Sequence, residues 1–201
     1  SWYWLQRVPD GRRLPVFAVV LTGLFLSVLL EQYFRHATEG VLPNCGASYM
    51  AMAYLGVVGA FFLIIRIEIG LWQALMVIAA VKCSDIGAYT FGKIFGKRRF
   101  SPRISPGKTW EGFLGAVVFA VLVSFAFASS LHIMSAGLAV LFGACLAFVG
   151  QMGDLAESMM KRDARQKDSS SRIPGFGGIL DLIDSPLVAA PFAYVFFKLI
   201  G

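Results

Sequence analysis

Six stretches of this chain, residues 14–30, 47–65, 69–89, 110–131, 136–151 and 186–200, are apolar almost throughout. The hydrocarbon core of a bilayer is about 30 Å thick and takes about 20 helical residues to cross. Runs of this length and continuity predict helices in lipid. The composition agrees: 57% of residues are hydrophobic and 15% are charged, against about 25% charged in soluble domains. The expected fold is all-α, a polytopic transmembrane helix bundle with about six membrane segments. These segments use up most of the 201 residues, so one integral-membrane domain is expected over 1–201. Several runs are short for a full crossing. The fifth is expected to continue as a helix through Asp154 to about Arg165, beyond the membrane. Pro186 and Pro191 fall in the last run, where they favour a kink and neighbouring helices can satisfy the freed carbonyls. No internal repeat or low-complexity linker is present.

The chain begins Ser-Trp-Tyr-Trp without an initiator Met, which leads us to expect a trimmed sequence. No signal peptide is visible, since the first apolar run follows Arg12-Arg13 and lacks a small-residue cleavage pattern. The net charge is +6, and 11 of the 18 Lys and Arg fall in two windows, 93–108 and 161–172. Two spans separate these windows, which places both on one side of the membrane. The positive-inside rule puts that side in the cytoplasm. Arg7, Arg12 and Arg13 then fall outside, in conflict with the same rule. The two large loops carry more charge and decide the orientation. Either an early segment does not span, or preceding sequence overrides the three arginines. Nucleic acid is excluded as a partner, because no soluble basic surface with interleaved aromatics exists. Cys45, Cys83 and Cys145 are scattered without a CxxC pair, and His36 and His132 stand alone. Metal chemistry in this chain must therefore use oxygen ligands.

The polar sequence is concentrated in one place. Residues 158–184 read SMMKRDARQKDSSSRIPGFGGILDLID, with five basic residues, four aspartates and three glycines between two apolar segments. Charges this near a membrane are costly unless they bind something. Just upstream, Asp154, Glu157, Ser158 and Lys161 fall at i, i+3, i+4 and i+7, one face of a helix. The plainer reading of that face is a solvated surface with a Glu157–Lys161 ion pair. Its position at the end of an apolar run favours a site. Lys167-Asp168 follows, and then Pro174-Gly175-Phe176-Gly177-Gly178. Those glycines allow the backbone to approach a ligand closely and its N–H groups to face an anion. A helix starting near Ile179 would offer its positive end to a phosphate, and Asp181 and Asp184 sit i,i+3 at its start. Aspartates of this region suit hard divalent cations such as Mg²⁺.

Two further features stand apart. Ser105-Pro106-Gly107-Lys108-Thr109-Trp110-Glu111-Gly112 ends like a P-loop, but the opening glycine would fall at Pro102 and no strand precedes it. It reads either as a helix start or as a phosphate contact through Ser105, Lys108 and Thr109. Asp85 lies within the third apolar run, three residues after Lys82. An intramembrane carboxylate points to a functional site, and the alternative is a structural Lys82–Asp85 ion pair.

Together these blocks resemble the phosphatidate cytidylyltransferase (CDP-diacylglycerol synthase) family. The family's signature runs Ser-x-x-Lys-Arg, four residues, Lys-Asp, then Pro-Gly-His-Gly-Gly, two residues and Asp-Arg-x-Asp. The matching positions are Ser158, Lys161, Arg162, Lys167, Asp168, Pro174, Gly175, Gly177, Gly178, Asp181 and Asp184. The Gly-Asp-Leu-x-Glu-Ser element before it, Asp85-Ile86-Gly87-Ala88-Tyr89 and the 105–112 block match as well. Phe176 stands where the family has His, and Leu182 where it has Arg. The resemblance covers about residues 70–201, the catalytic part; the first 65 residues match only in being apolar. Further N-terminal helices, usual in the family, are expected to be missing.

The resemblance implies nucleotidyl transfer from CTP to phosphatidate, giving CDP-diacylglycerol and pyrophosphate for phospholipid biosynthesis. It implies Mg²⁺, with room for a second metal ion, since two metals can hold attacking and leaving oxygens in line. Asp154, Asp181 and Asp184 are the expected metal ligands, with Asp168 as a fourth. Lys161, Arg162 and Lys167 are expected at the CTP phosphates, and Ser105, Lys108 and Thr109 at the lipid headgroup. Asp85, Gly177 and Gly178 are expected to line the same site. Expected partners are CTP, phosphatidate and the lipid bilayer, and a homodimer is compatible with the resemblance. The expected location is the bacterial inner membrane, with the site facing the cytoplasm. Two alternatives stand: a CTP-dependent lipid-alcohol kinase of the dolichol or phytol kinase kind, and a non-enzymatic transporter.

Overall fold

The computed structural model describes residues 10–165 and 179–200, with side chains over 18–165 and 183–200. Those residues form α1 (Asp10–His36), α2 (Val41–Ile69), α3 (Leu71–Phe95), α4 (Trp110–Leu131), α5 (Ala136–Asp163) and α6 (Ile179–Ile200). No strand occurs among them; one isolated antiparallel bridge joins Arg99 and Thr109. Each of the six contains a segment long and apolar enough to cross a membrane, as expected of an integral membrane protein. The helix α4 coincides with its apolar run, whereas α1 and α2 extend beyond theirs at both ends, α3 and α5 at their C-terminal ends and α6 at its N-terminal end. Polar residues such as Glu31, Gln32 and Arg35 continue α1 to His36, because helix propagation costs little once a helix is nucleated. The helix α2 is regular only in parts. It widens to π-helix over Met52–Val58 and Ile65–Ile69, which no residue pattern in the sequence announces. The helix α6 continues through both Pro186 and Pro191.

The chain divides into two compact units, Ser1–Val57 and Val58–Gly201. The first is held by a hairpin of α1 and the start of α2. Gln32 is buried and fully used there: its amide donates to the Glu39 carbonyl at 2.8 Å and accepts from Asn44 at 3.0 Å. Phe25 and Tyr49 stack at 4.9 Å.

The second unit packs the rest of α2 with α3, α4, α5 and α6. Gly70, at φ 149°, breaks the chain between α2 and α3 in a conformation open mainly to glycine. The core centres on Phe142, Met76, Val77, Leu146 and Ile65, all fully buried, against Ala189, Ala190 and Ala193. Small residues let the helices approach closely, as usual within membranes. A Cβ on Gly87 of α3 would lie 2.5 Å from the Gly115 carbonyl of α4, and one on Gly115 would lie 2.6 Å from the Gly87 carbonyl. Gly153 of α5 likewise faces Val188 and the Asp184 carbonyl of α6, and this contact draws together the two helices that carry the acidic residues.

Candidate active site

Thr109 caps α4, its Oγ accepting from the Gly112 amide at 3.1 Å. Glu111, in the first turn, accepts from the Lys97 and Arg98 amides at 3.1 and 3.2 Å. The segment between α3 and α4 is thereby folded back on the start of α4. Lys108 is fixed within it at both backbone groups. Its N–H donates to Ser105 O and its carbonyl accepts from Phe100 N, each at 3.2 Å. This connection meets the C-terminal part of α5 at one end of the unit. The Arg162 Nε donates to the Ile104 carbonyl at 3.4 Å.

A cavity of about 670 Å³ lies there, bounded by α3, the α3–α4 connection, α5 and the start of α6. Four carboxylates line it, Asp85 among them, and the other three converge. Asp154, Glu157 and Asp184 each offer an oxygen, and the three oxygens lie within 4.8 Å of one another. Asp154 and Glu157 are one helical turn apart on α5; Asp184 comes from α6. Glu157 is 1% exposed and Asp184 3%. Carboxylates buried this close together repel, and their charge must be compensated. Two lysines contribute. The Lys161 Nζ lies 2.7 Å from Glu157 Oε2, and the Lys108 Nζ lies 2.7 Å from Asp154 Oδ2 and donates to the Gln151 carbonyl at 3.2 Å. The other Asp154 oxygen accepts from Ser158 Oγ at 3.4 Å. A set of converging oxygen donors with excess negative charge fits a hard divalent cation.

The remaining wall is mixed. Lys82 and Asp85 form an ion pair at 3.0 Å and both face the cavity. Ser105 and Thr109 line it too, as do Ile86, Tyr89 and Phe113. The lining thus combines charged and apolar side chains, which suits a ligand with a phosphate head and hydrocarbon chains.

Of the residues singled out from sequence, Asp85, Ser105, Lys108, Thr109, Asp154, Lys161 and Asp184 meet at this cavity. Asp181 lies on the first turn of α6, one turn before Asp184, and its side chain falls outside the described residues. Lys167, Asp168, Gly177 and Gly178 also lie outside them. The sequence places Glu157 on one helical face with Asp154, Ser158 and Lys161, either a solvated face with a Glu157–Lys161 pair or part of a site, and does not single it out as a metal ligand. The pair with Lys161 exists, but the carboxylate is buried within the acidic group. The signal available was its place three residues after Asp154, on the same helical face.

A profile of the cytidylyltransferase family matches residues 6–200 of this chain. Among curated relatives, the phosphatidate cytidylyltransferase of Chlamydia muridarum is 38% identical over 184 residues, covering 85% of this chain and 60% of that protein. The Haemophilus influenzae protein of the same name is 42% identical over 137 residues, covering 64% of this chain and 46% of its own length. That of Bacillus subtilis is 38% identical over 183 residues, covering 89% and 65%. The chain thus spans roughly half to two thirds of the length of these relatives.

Proposed function

The chain belongs to the cytidylyltransferase family, and on that premise we propose that it transfers CMP from CTP to phosphatidate, forming CDP-diacylglycerol and releasing pyrophosphate. The single observation that carries this reading is the group of three carboxylates, Asp154, Glu157 and Asp184, in a cavity also lined by lysines and apolar side chains. We further take the divalent cation to be Mg²⁺, and the membrane to be the bacterial inner membrane with the cavity open to the cytoplasm. The basic windows support that orientation.

The chemistry follows from charge. A phosphate oxygen of phosphatidate attacks the α-phosphorus of CTP; a P–O bond forms, and the bond from the α-phosphorus to the bridging oxygen breaks. Pyrophosphate leaves with that electron pair. The nucleophile is already an anion, so no strong general base is required. The difficulty is that two anions must meet. Bound Mg²⁺ would supply Lewis-acid neutralisation of the phosphates. Asp154, Glu157 and Asp184 would hold it, and Asp181 stands on the same helix one turn away. Lys161 and Lys108 reach the same space and can stabilise charge on the departing pyrophosphate. Ile86, Tyr89 and Phe113 would receive the acyl chains, which keeps the lipid phosphate at the polar end.

The test is product analysis. The protein, reconstituted with phosphatidate, Mg²⁺ and CTP labelled at the α-phosphate, is expected to place the label in lipid and to release pyrophosphate. Release of CDP with an unlabelled lipid nucleotide fraction would overturn the reading, since a kinase transfers the γ-phosphate.

A further inference from the structure

Lys108 occupies an unusual position for a residue expected to meet a substrate. Its side chain is only 12% exposed, and its ammonium lies 2.7 Å from Asp154, one of the three carboxylates. The backbone on both sides is held by the Ser105 and Phe100 hydrogen bonds, so the side chain is presented from a fixed base. Among the described residues, the three carboxylates outnumber the two lysines paired with them, Lys108 and Lys161. A divalent ion held by Asp154 would lie within a few Å of the Lys108 ammonium, where like charges repel strongly in a partly buried site. Both cations cannot keep their best positions.

We propose that Lys108 is a displaceable counter-cation. It holds Asp154 while the carboxylate group carries no divalent ion, and it turns to an anionic phosphate in the same cavity when the ion binds. This rests on the reading of the acidic group as a cation site. The consequence is reciprocal coupling: ion binding frees a positive charge for phosphate, and phosphate binding draws that charge away from Asp154 and favours the ion. Lys108 then acts as a positioning residue in the ion-free protein and as a phosphate contact in the loaded one.

The test uses Mn²⁺ as the probe, with free Mn²⁺ followed by electron paramagnetic resonance, on the protein in nanodiscs without nucleotide. Lys108→Gln keeps a donor for the Gln151 carbonyl but removes the charge. It is expected to bind Mn²⁺ about tenfold more tightly than the wild type. Lys108→Arg keeps the charge and is expected to show no such gain. In saturating Mg²⁺, inorganic pyrophosphate is expected to raise the melting temperature of the wild type more than that of Lys108→Gln. Unchanged or weaker Mn²⁺ binding by Lys108→Gln, or an equal pyrophosphate shift in both proteins, would overturn the proposal. Asp184→Asn separates the two levels. If it abolishes Mn²⁺ binding while Lys108→Gln changes nothing, the displaceable lysine alone is wrong. If the wild type binds no Mn²⁺, or Asp184→Asn binds it undiminished, the cation site itself is wrong and the proposal falls with it.

Discussion

Asp184→Asn is expected to lower CMP transfer to phosphatidate by about 10³-fold while leaving the protein folded. The substitution is nearly isosteric at a residue that is 3% exposed, so packing between α5 and α6 is preserved. What it removes is one of three carboxylates whose oxygens lie within 4.8 Å of one another. Removing one of several crowded like charges relieves repulsion. The melting temperature without divalent ions is therefore expected to stay level or rise. Mg²⁺ should stabilise the wild type, because it binds the folded state, and should do so much less for the variant. Lost transfer together with retained or increased stability separates a functional carboxylate from a structural one. A variant that unfolds, or one that retains transfer, would remove Asp184 from the site.

Gly115→Leu is expected to have the largest effect on stability. A Cβ at this position would lie 2.6 Å from the Gly87 carbonyl and 2.6 Å from the Phe91 side chain. The first of these neighbours is backbone and cannot turn aside, so α3 and α4 must separate. Overpacking of this kind costs about 1–3 kcal/mol or more, which for a chain of this length corresponds to roughly 2–12 °C in Tm. Gly115→Ala is expected to move in the same direction by less. Gly137→Ala is the control, since nothing lies within 4 Å of its added Cβ, and it should be neutral. Thermal unfolding in a single detergent decides the point. Activity should fall with stability in Gly115→Leu, because α3 carries Asp85 and the start of α4 carries Thr109 into the cavity.

Much of this architecture is legible in the sequence for a simple reason: a helix that must satisfy its backbone in lipid needs a long apolar run. All six helices contain one. Their ends are unevenly legible: α5 ends at Asp163, close to the limit expected near Arg165, whereas the polar residues that close α1 are compatible with helix or loop alike. Thr109 followed by Glu111 marks the start of α4 because a cap and an acidic first turn have a local cause. The π-helical parts of α2 have no such local mark. At the site, spacing on α5 puts Asp154 beside Glu157, and the Asp154–Ser158 contact follows from i,i+4. The approach of Asp184 does not follow from any spacing; it depends on α5 and α6 meeting at Gly153. The Lys108–Asp154 pair is equally tertiary, since a loop fixed by the Arg99–Thr109 bridge carries the lysine to another helix. Lys108 was read as a headgroup contact, and sequence could not reveal the carboxylate it meets first. The sequence leaves Glu157 open between a solvated face and a site, because a Glu–Lys pair at i,i+4 is compatible with both and burial is invisible to that pattern.

The most direct test is to locate the ion. Crystals of the protein soaked in Mn²⁺ are expected to show one strong anomalous peak at about 2.1 Å from oxygens of Asp154, Glu157 and Asp184. No peak at saturating Mn²⁺, or an ordered peak away from all three carboxylates, would contradict the assignment of this group as the cation site.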